Sequence, residues 1–139
     1  MNRRIVTHAE VTEAVNSLVA KANLMPGVKV YGIPRGGVAP AYAIAGMLDG
    51  KVVSTPLEAD FIVDDLVDSG ATLERFCRLY PNTKVGALFF KGTSRIRSSA
   101  MHVKYWGVQM PDQWLVMPWE VSDEHDASAE DAVVRMLQV

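Results

Sequence analysis

Residues 61–72 read FIVDDLVDSGAT, and this stretch decides how the rest of the chain is interpreted. The apolar run at residues 61–63 has the composition of a buried strand, and Asp64 and Asp65 follow it at once. Residues 69–72 are small. A helical pattern follows them, with its apolar face at Leu73, Phe76, Cys77 and Tyr80. The predicted order is therefore strand, two carboxylates, small-residue turn and helix.

A turn of this composition suits a phosphate group. It directs backbone N–H groups, hydroxyl groups and the positive end of a helix at one point. Asp64 and Asp65 stand beside it and are suited to binding sugar hydroxyls, or a metal ion that accompanies phosphates. The plain structural alternative is an acidic strand-to-helix turn in which Ser69 or Thr72 caps the helix.

The composition excludes several classes of protein. With 139 residues, we expect a single domain over residues 1–139, and the apolar fraction of 49% and charged fraction of 22% are those of a globular protein. A net charge of −2 without a basic stripe argues against nucleic acid as a partner. The polar start and the lack of a long apolar run predict neither a signal peptide nor a membrane span. A single cysteine, Cys77, fits a reducing cytoplasm.

The other segments alternate between helix and strand. Thr7 and Glu10 form a capping box before a first helix, and residues 28–33 resemble a strand. A Pro-Arg-Gly-Gly turn at 34–37 precedes residues 38–48, which are apolar all round and predict a buried helix. Further strands are predicted at residues 52–55, 85–90 and 103–108, a short apolar piece at 114–117, a polar loop at 95–99, and a last helix ending near Leu137.

This alternation predicts an α/β fold with a largely parallel sheet. Ligands of such sheets bind at the carboxyl ends of the strands. Three polar or glycine-containing loops are expected to meet there, at residues 34–37, 64–72 and 91–94.

These loops, in this order, resemble those of the type I phosphoribosyltransferases, and among them the bacterial xanthine–guanine enzymes. IVDDLVDSGAT resembles the family's signature for 5-phosphoribosyl pyrophosphate (PRPP), and IPRGGVAPAYAIA resembles its pyrophosphate loop and following helix. LYPNTKVGALFFKG resembles the strand that ends in a base-reading lysine, and MPDQWLVMPWE the segment that closes over the purine. The likeness runs from about Ile5 to Glu120.

The resemblance implies the type I phosphoribosyltransferase fold, in which helices flank the parallel sheet and a small C-terminal hood binds the base. It implies transfer of 5-phosphoribosyl from PRPP to a 6-oxopurine (xanthine, guanine or hypoxanthine), with release of pyrophosphate and with Mg²⁺ as cofactor. The implied partners are PRPP, the purine base and the purine nucleotide. The family also implies a homodimer or homotetramer in the cytoplasm.

The resemblance also implies roles for the central acids and for the turn after them. Asp64 and Asp65 would hold the ribose hydroxyls, directly or through Mg²⁺, and Asp68 would accept a proton near the purine N7. These three acids are the implied catalytic residues. The implied ligands of the 5′-phosphate are Ser69, Gly70, Ala71 and Thr72.

Roles at the two ends of the site follow from the same likeness. Arg35, Gly36 and Gly37 would hold pyrophosphate, in a turn with a cis peptide bond between Pro34 and Arg35. Glu120 would help to anchor Mg²⁺ through water.

Three more residues would bind the purine. Lys91 would donate to the oxygen at C6, Trp114 would stack on the base, and the backbone at Leu115 would bond the base's edge. The structural alternatives are an exposed lysine at a strand end for Lys91 and an ordinary core position for Trp114.

The chain departs from the family in one place. Only about a dozen residues separate the helix at 38–48 from the strand that begins at Phe61. The family inserts a long, basic and mobile segment here, which closes over the reaction centre. A second hypothesis therefore stays open, namely a non-catalytic or weakly active protein of the same fold that binds PRPP or a purine nucleotide and regulates a partner.

Overall fold

The computed structural model describes residues 3–92 and 105–120 of the chain. Its helices are α1 (His8–Ala22), α2 (Val38–Met47) and α3 (Ala71–Leu79). Its strands are β1 (Arg3–Ile5), β2 (Lys29–Gly32), β3 (Lys51–Val52), β4 (Phe61–Val67), β5 (Lys84–Lys91), β6 (Tyr105–Met110) and β7 (Trp114–Val116). Short 3₁₀ helices lie at Pro56–Glu58 and Pro118–Glu120.

Five strands form the main sheet, in the order β3-β2-β4-β5-β6, and every neighbouring pair is parallel. The predicted parallel α/β sheet is confirmed. The chain leaves β2 for β3, which pairs with one side of β2, and then passes to β4, which pairs with the other side of β2. The direction of winding therefore reverses between β2 and β4, which is where open α/β sheets bind their ligands.

Helices cover both faces of the sheet. Residues of α1 and α2 share one apolar core with Val30, Phe61 and Leu88, whereas α3 packs on the opposite face against Ile62 and Val85. The connections through α2 and α3 run in opposite directions across the sheet. Because such crossovers are right-handed, they place their helices on opposite faces.

The predicted capping box starts α1. The backbone N–H of Glu10 donates to Thr7 Oγ1 at 3.1 Å, and the Thr7 N–H donates to Glu10 Oε1 at 3.0 Å. Two of the N–H groups that a helix leaves without partners are thereby satisfied.

A second, two-stranded sheet joins the two ends of the described chain. Strand β1 pairs in parallel with β7, and Leu115 lies opposite Arg4 in the register. Arg4 forms an ion pair with Glu10 of α1, and its Nη1 lies 3.8 Å from the sulfur of Met110 in β6. The small sheet is therefore tied both to α1 and to the carboxyl end of β6.

Several predicted boundaries are wrong. Strand β4 extends to Val67, so Asp64 and Asp65 lie inside it, not after it, and Lys91 is the last residue of β5. The strand predicted at residues 52–55 is the two-residue β3, and β1 was not predicted. These differences share a cause, because strand ends are set by backbone pairing with neighbours and not by apolar side chains alone. The loop at 95–99 and the last helix lie outside the described residues.

Helix α2 is less buried than its apolar sequence predicts. Ala41 and Ile44 are fully buried, but Tyr42, Gly46 and Met47 are exposed. The expectation of a helix buried on all sides is therefore wrong for this chain taken alone. No helix within the described residues has the length and apolar character needed to cross a membrane.

Helix α1 and strand β6 pack closely against each other at Gly107. A side chain at Gly107 would collide with the carbonyl oxygens of Ala14 and Leu88. The Gly107 carbonyl also accepts hydrogen bonds from Ser17 Oγ at 2.8 Å and from Lys21 Nζ at 3.0 Å. The absence of a side chain thus lets the helix approach the strand.

We expect Gly107→Ala to lower the free energy of unfolding by about 1–3 kcal/mol, because the added methyl group overfills this contact. Urea denaturation measures the effect. Gln109→Ala, at an exposed position of the same strand, serves as the control and should change stability by less than about 0.5 kcal/mol. Equal effects of the two substitutions would contradict the close-packing argument.

Candidate functional site

The centre of the site is the part of β4 that continues beyond β2. Strand β2 ends at Gly32, which lies opposite Val63 in the register, while β4 runs on to Val67 beside β5. Asp64 and Asp65 fall in this extension. Their backbone therefore has a strand neighbour on the β5 side only, and the turn that follows β2 occupies the other side.

That turn is built by backbone hydrogen bonds and close packing. The Ile33 N–H donates to the Val63 carbonyl at 2.9 Å, and the Gly37 N–H donates to the Ile33 carbonyl at 2.8 Å. The peptide bond between Pro34 and Arg35 is cis, as predicted. Any side chain at Gly36 would collide with the carboxyl group of Asp65. The structure therefore brings the Arg-Gly-Gly turn and the paired acids together.

The two carboxyl groups share a confined environment. Asp64 Oδ1 accepts a hydrogen bond from the Asp65 N–H at 2.8 Å. Burial, reinforced by the charge of Asp65, raises the pKa of Asp64 from 3.8 to about 8. Burial also raises the pKa of Asp65. The pair therefore holds a proton near neutral pH, which a cation would displace.

The entry into α3 is an exposed turn. Gly70 has a φ of 84° and precedes the first residue of the helix, and Ser69 Oγ accepts a hydrogen bond from the Ala71 N–H at 3.3 Å. Ser69, Ala71 and Thr72 are exposed. The N-cap residue of α3 is Gly70, which has no side chain, so Ser69 acts from the position before the cap through its bond to Ala71, and Thr72 lies inside the helix.

Lys91 lies at the carboxyl end of β5, next to the turn after β4. Only 7% of Lys91 is exposed, and its Nζ is 3.5 Å from Oδ2 of Asp68, whose side chain is 68% exposed. The alternative of an exposed surface lysine is therefore wrong. A nearly buried ammonium group faces the same edge of the sheet as the paired acids.

The small sheet stands beside this edge, because β7 follows β6 after a short turn and Met110 of β6 lies opposite Lys91. Trp114 is 55% exposed, so the core alternative for this residue is wrong. Leu115 is buried and pairs with Arg4 of β1. Arg4 is a supporting residue that the sequence did not reveal, because a three-residue strand carries no periodic pattern.

Glu120, the third predicted metal ligand, does not form a metal-binding group of three with Asp64 and Asp65. It ends the 3₁₀ helix Pro118–Glu120. Within residues 3–92 and 105–120, no three His, Cys, Asp or Glu side chains are close enough to hold a metal ion. Asp64 and Asp65 remain as a pair. A pair of carboxylates suits Mg²⁺, which keeps several waters and takes further oxygen ligands from bound phosphates.

A cavity of about 370 Å³ lies at the opposite edge of the sheet, lined in part by Asn23, Asp60, Asn82 and Lys84. These residues adjoin the amino ends of β2, β4 and β5. The cavity is therefore separate from the acids, the turn and Lys91.

The site combines the ends of parallel strands, two paired acids beside a glycine turn, and a small-residue turn at the amino end of α3. This combination is typical of the nucleotide site of a phosphoribosyltransferase. Comparison with known proteins agrees. The xanthine-guanine phosphoribosyltransferase of Cereibacter sphaeroides is 31% identical over 119 residues, covering 67% of this chain and 69% of that protein. The chain therefore belongs to the xanthine-guanine phosphoribosyltransferase family. A scan against family models found no match.

Solved structures share the fold. The purine phosphoribosyltransferase of Pyrococcus horikoshii superimposes with a TM-score of 0.65 at 24% identity, covering 91% of this chain and 99% of that one. A hypothetical protein from Neisseria gonorrhoeae with bound ppGpp gives a TM-score of 0.66 at 15% identity, covering 99% of this chain and 97% of that one. At these identities the likeness concerns the fold alone.

We expect Asp64→Asn to remove a pH dependence of stability. Between pH 3.8 and about 8 the folded protein holds a proton on Asp64 that the unfolded chain lacks, so this group's stabilisation is lost as pH rises through that window. Relative to wild type, the variant should gain about 1–3 kcal/mol in unfolding free energy between pH 5 and pH 9.

Thermal denaturation in metal-free buffer, with the wild type alongside, measures this gain. Asp112→Asn, at an exposed acid, is the control and should track the wild type at every pH. If the stability of the wild type and of Asp64→Asn changed with pH in the same way, the pKa of Asp64 would not be raised in the folded protein.

Proposed function

We propose that this chain transfers the 5-phosphoribosyl group from PRPP to a 6-oxopurine (xanthine, guanine or hypoxanthine) and releases pyrophosphate. The observation that carries the proposal is the nearly buried Lys91 beside Asp68, at the same sheet edge as Asp64 and Asp65. An ammonium group has three N–H donors; Asp68 lies beside Lys91 and can accept one of them, and an oxygen at the purine C6 can accept another.

In this proposal PRPP lies along the edge between the two turns. Ser69, Gly70, Ala71 and Thr72 bind the 5′-phosphate, because the exposed start of α3 offers N–H groups and positive potential. The turn Arg35–Gly36–Gly37 binds pyrophosphate on the other side of the paired acids. Binding at both ends holds the sugar C1 in place for attack.

The acids between these two turns take the ribose and the metal. Asp64 and Asp65 bind the ribose hydroxyls. They would also hold Mg²⁺, with Glu120 contributing through water. Mg²⁺ supplies electrostatic stabilisation of the pyrophosphate leaving group. The raised pKa values support this role, because both acids ionised together lack a compensating charge.

The purine binds between the edge of the sheet and the hood. Lys91 donates to the C6 oxygen, the exposed ring of Trp114 stacks on the base, and the backbone at Leu115 bonds its edge. A bond forms between C1 of the ribose and a purine nitrogen as the C1–O bond to pyrophosphate breaks, through a cation-like transition state. The purine proton passes to Asp68, whose exposed carboxylate lies next to Lys91.

A second candidate function is binding of PRPP or a purine nucleotide with little or no turnover. The observation in its favour is the short connection between α2 and β4, which contains only β3 and the 3₁₀ helix Pro56–Glu58. Nothing in that connection is long enough to close over the acids. The fold-sharing protein from Neisseria gonorrhoeae has ppGpp bound, and the same edge of this chain would accept such a nucleotide.

We propose that the protein acts as a homodimer or homotetramer in the cytoplasm. One cysteine supports a reducing compartment.

We expect Lys91 to select 6-oxopurines over adenine, because an ammonium group donates hydrogen bonds and cannot accept one from an amino group. Lys91→Met should lower kcat/KM for hypoxanthine, guanine and xanthine by at least about a hundredfold, since the C6 oxygen loses its donor. Pyrophosphate release with Mg²⁺–PRPP and each base in turn is the measurement.

Lys29→Met, at an exposed lysine at the start of β2 and at the opposite edge of the sheet, is the matched control and should leave base selectivity unchanged. Use of adenine by the wild type as efficiently as guanine would remove Lys91 from this role.

We expect PRPP binding to be intact but turnover to be at least about a hundredfold below that of the longer relatives, because no segment of the described chain closes over the acids to exclude water. Calorimetry with Mg²⁺–PRPP measures binding, and pyrophosphate release measures turnover. The double variant Asp64→Asn, Asp65→Asn should stay folded and lose binding. Turnover equal to that of the relatives would show that a long closing segment is dispensable.

A further inference from the structure

The strand before α1 holds the hood at the purine end of the site. Strand β1 pairs with β7, with Arg4 opposite Leu115, and the Val6 N–H donates to the Val116 carbonyl at 2.8 Å. Within the described residues β7 pairs with no other strand. The position of β7, and with it the backbone at Leu115, therefore depends on what holds β1.

Arg4, in the middle of β1, makes two contacts outside its own sheet. Its Nη2 forms an ion pair with Glu10 Oε2 at the start of α1, and its Nη1 lies 3.8 Å from the sulfur of Met110 in β6. Met110 in turn lies opposite Lys91 in the register of the main sheet. One guanidinium group thus connects the hood to α1 and to the neighbour of the lysine at the end of β5.

The carboxylate that receives Arg4 is itself held in place. Glu10 Oε1 accepts hydrogen bonds from the Thr7 N–H at 3.0 Å and from Thr7 Oγ1 at 3.3 Å, while Oε2 faces Arg4. Only 37% of the Arg4 side chain and 27% of the Glu10 side chain are exposed. A partly buried pair with a fixed anion keeps its geometry better than an ordinary surface ion pair, whose long side chains move freely.

Helix α1 is a fixed reference for this pair. Ser17 Oγ and Lys21 Nζ both donate to the Gly107 carbonyl in the middle of β6, so the helix is attached to the main sheet independently of the hood. The ion pair between Arg4 and Glu10 therefore sets the hood's position relative to a helix that does not depend on it.

We propose that Arg4 is a positioning residue for the purine, because it fixes the spacing between Lys91 and the backbone at Leu115. This inference rests on the proposed function, in which those two groups bind the C6 oxygen and another edge of the base. The planar guanidinium group suits the task, since its donors point in fixed directions toward both Glu10 and Met110. The turns assigned to PRPP lie on other strand ends, so Arg4 acts on the base and not on PRPP.

Calorimetry on the purified full chain tests the proposal with two probes, Mg²⁺–PRPP and guanosine monophosphate (GMP). Arg4→Met keeps a long side chain and removes the ion pair. It should weaken GMP binding by about tenfold to a hundredfold, because a small displacement of binding groups has effects of this size. PRPP binding should be unchanged. In steady-state kinetics KM for guanine should rise by the same factor, while kcat and KM for PRPP stay constant.

Glu10→Gln tests the same pair from the other side. Glutamine can replace glutamate in a capping box, so α1 keeps its start while the ion pair loses its negative charge. GMP binding should weaken in this variant too. The double variant Arg4→Met, Glu10→Gln should bind GMP no more weakly than Arg4→Met alone, because the two residues act as one unit. Arg4→Lys retains the positive charge and should recover part of the affinity for GMP.

Lys21→Met is the matched control. Lys21 also joins α1 to β6, through the carbonyls of Trp106 and Gly107, but it lies at the end of the helix away from β1. This variant should leave the ratio of GMP affinity to PRPP affinity unchanged, even where it lowers stability. Circular dichroism of each variant confirms that it is folded.

Two results overturn the role of Arg4 alone. In the first, the wild type binds both probes and neither Arg4→Met nor Glu10→Gln weakens GMP. In the second, Arg4→Met weakens GMP and PRPP equally, or Lys21→Met reproduces its selective effect, which would make Arg4 a residue of general stability. A wild type that binds Mg²⁺–PRPP but not GMP overturns both this role and the proposed purine acceptor, so the two failures are distinguishable.

Discussion

The site depends on one structural constraint, the continuation of β4 beyond the end of β2. Backbone pairing with β5 carries β4 through Asp64 and on to Val67, so two acids are held on a rigid strand where their β2 neighbour has stopped. The turn after β2 fills the vacated side and packs Gly36 against Asp65. Burial between this turn and β5 raises the pKa values of Asp64 and Asp65.

The other parts of the site are placed by the same sheet. Lys91 ends the strand next to β4, and its ammonium group therefore lies within 3.5 Å of Asp68 in the turn that follows β4. Strand β6 lies next to β5 on the side away from β4, and β7 of the small sheet follows β6 in the chain. Trp114, the first residue of β7, therefore lies on the far side of Lys91 from the paired acids. Binding groups are thus carried by strand ends and short turns, which suits recognition of a ligand better than closure over it.

Much of this site was predictable because parallel strands bring their carboxyl ends to one edge. Once residues 28–33, 61–63 and 85–90 were identified as strands, the turns after them had to be neighbours. The cis bond between Pro34 and Arg35 was also predicted, from the family likeness. The strand ends were not, because Asp64 and Lys91 are strand residues through backbone hydrogen bonds, which a hydropathy pattern does not report.

The sequence by itself determined the class of fold, the family and the order of the segments around the acids, since these depend on local periodicity and on motifs of a few residues. Tertiary structure alone decided three other features. These are the pairing of β1 with the distant strand β7, the burial of Lys91, and the side of α2 that is exposed to water. Each depends on contacts between residues far apart in sequence, and an apolar helix reads the same whether its outer face meets its own chain, a second copy or water.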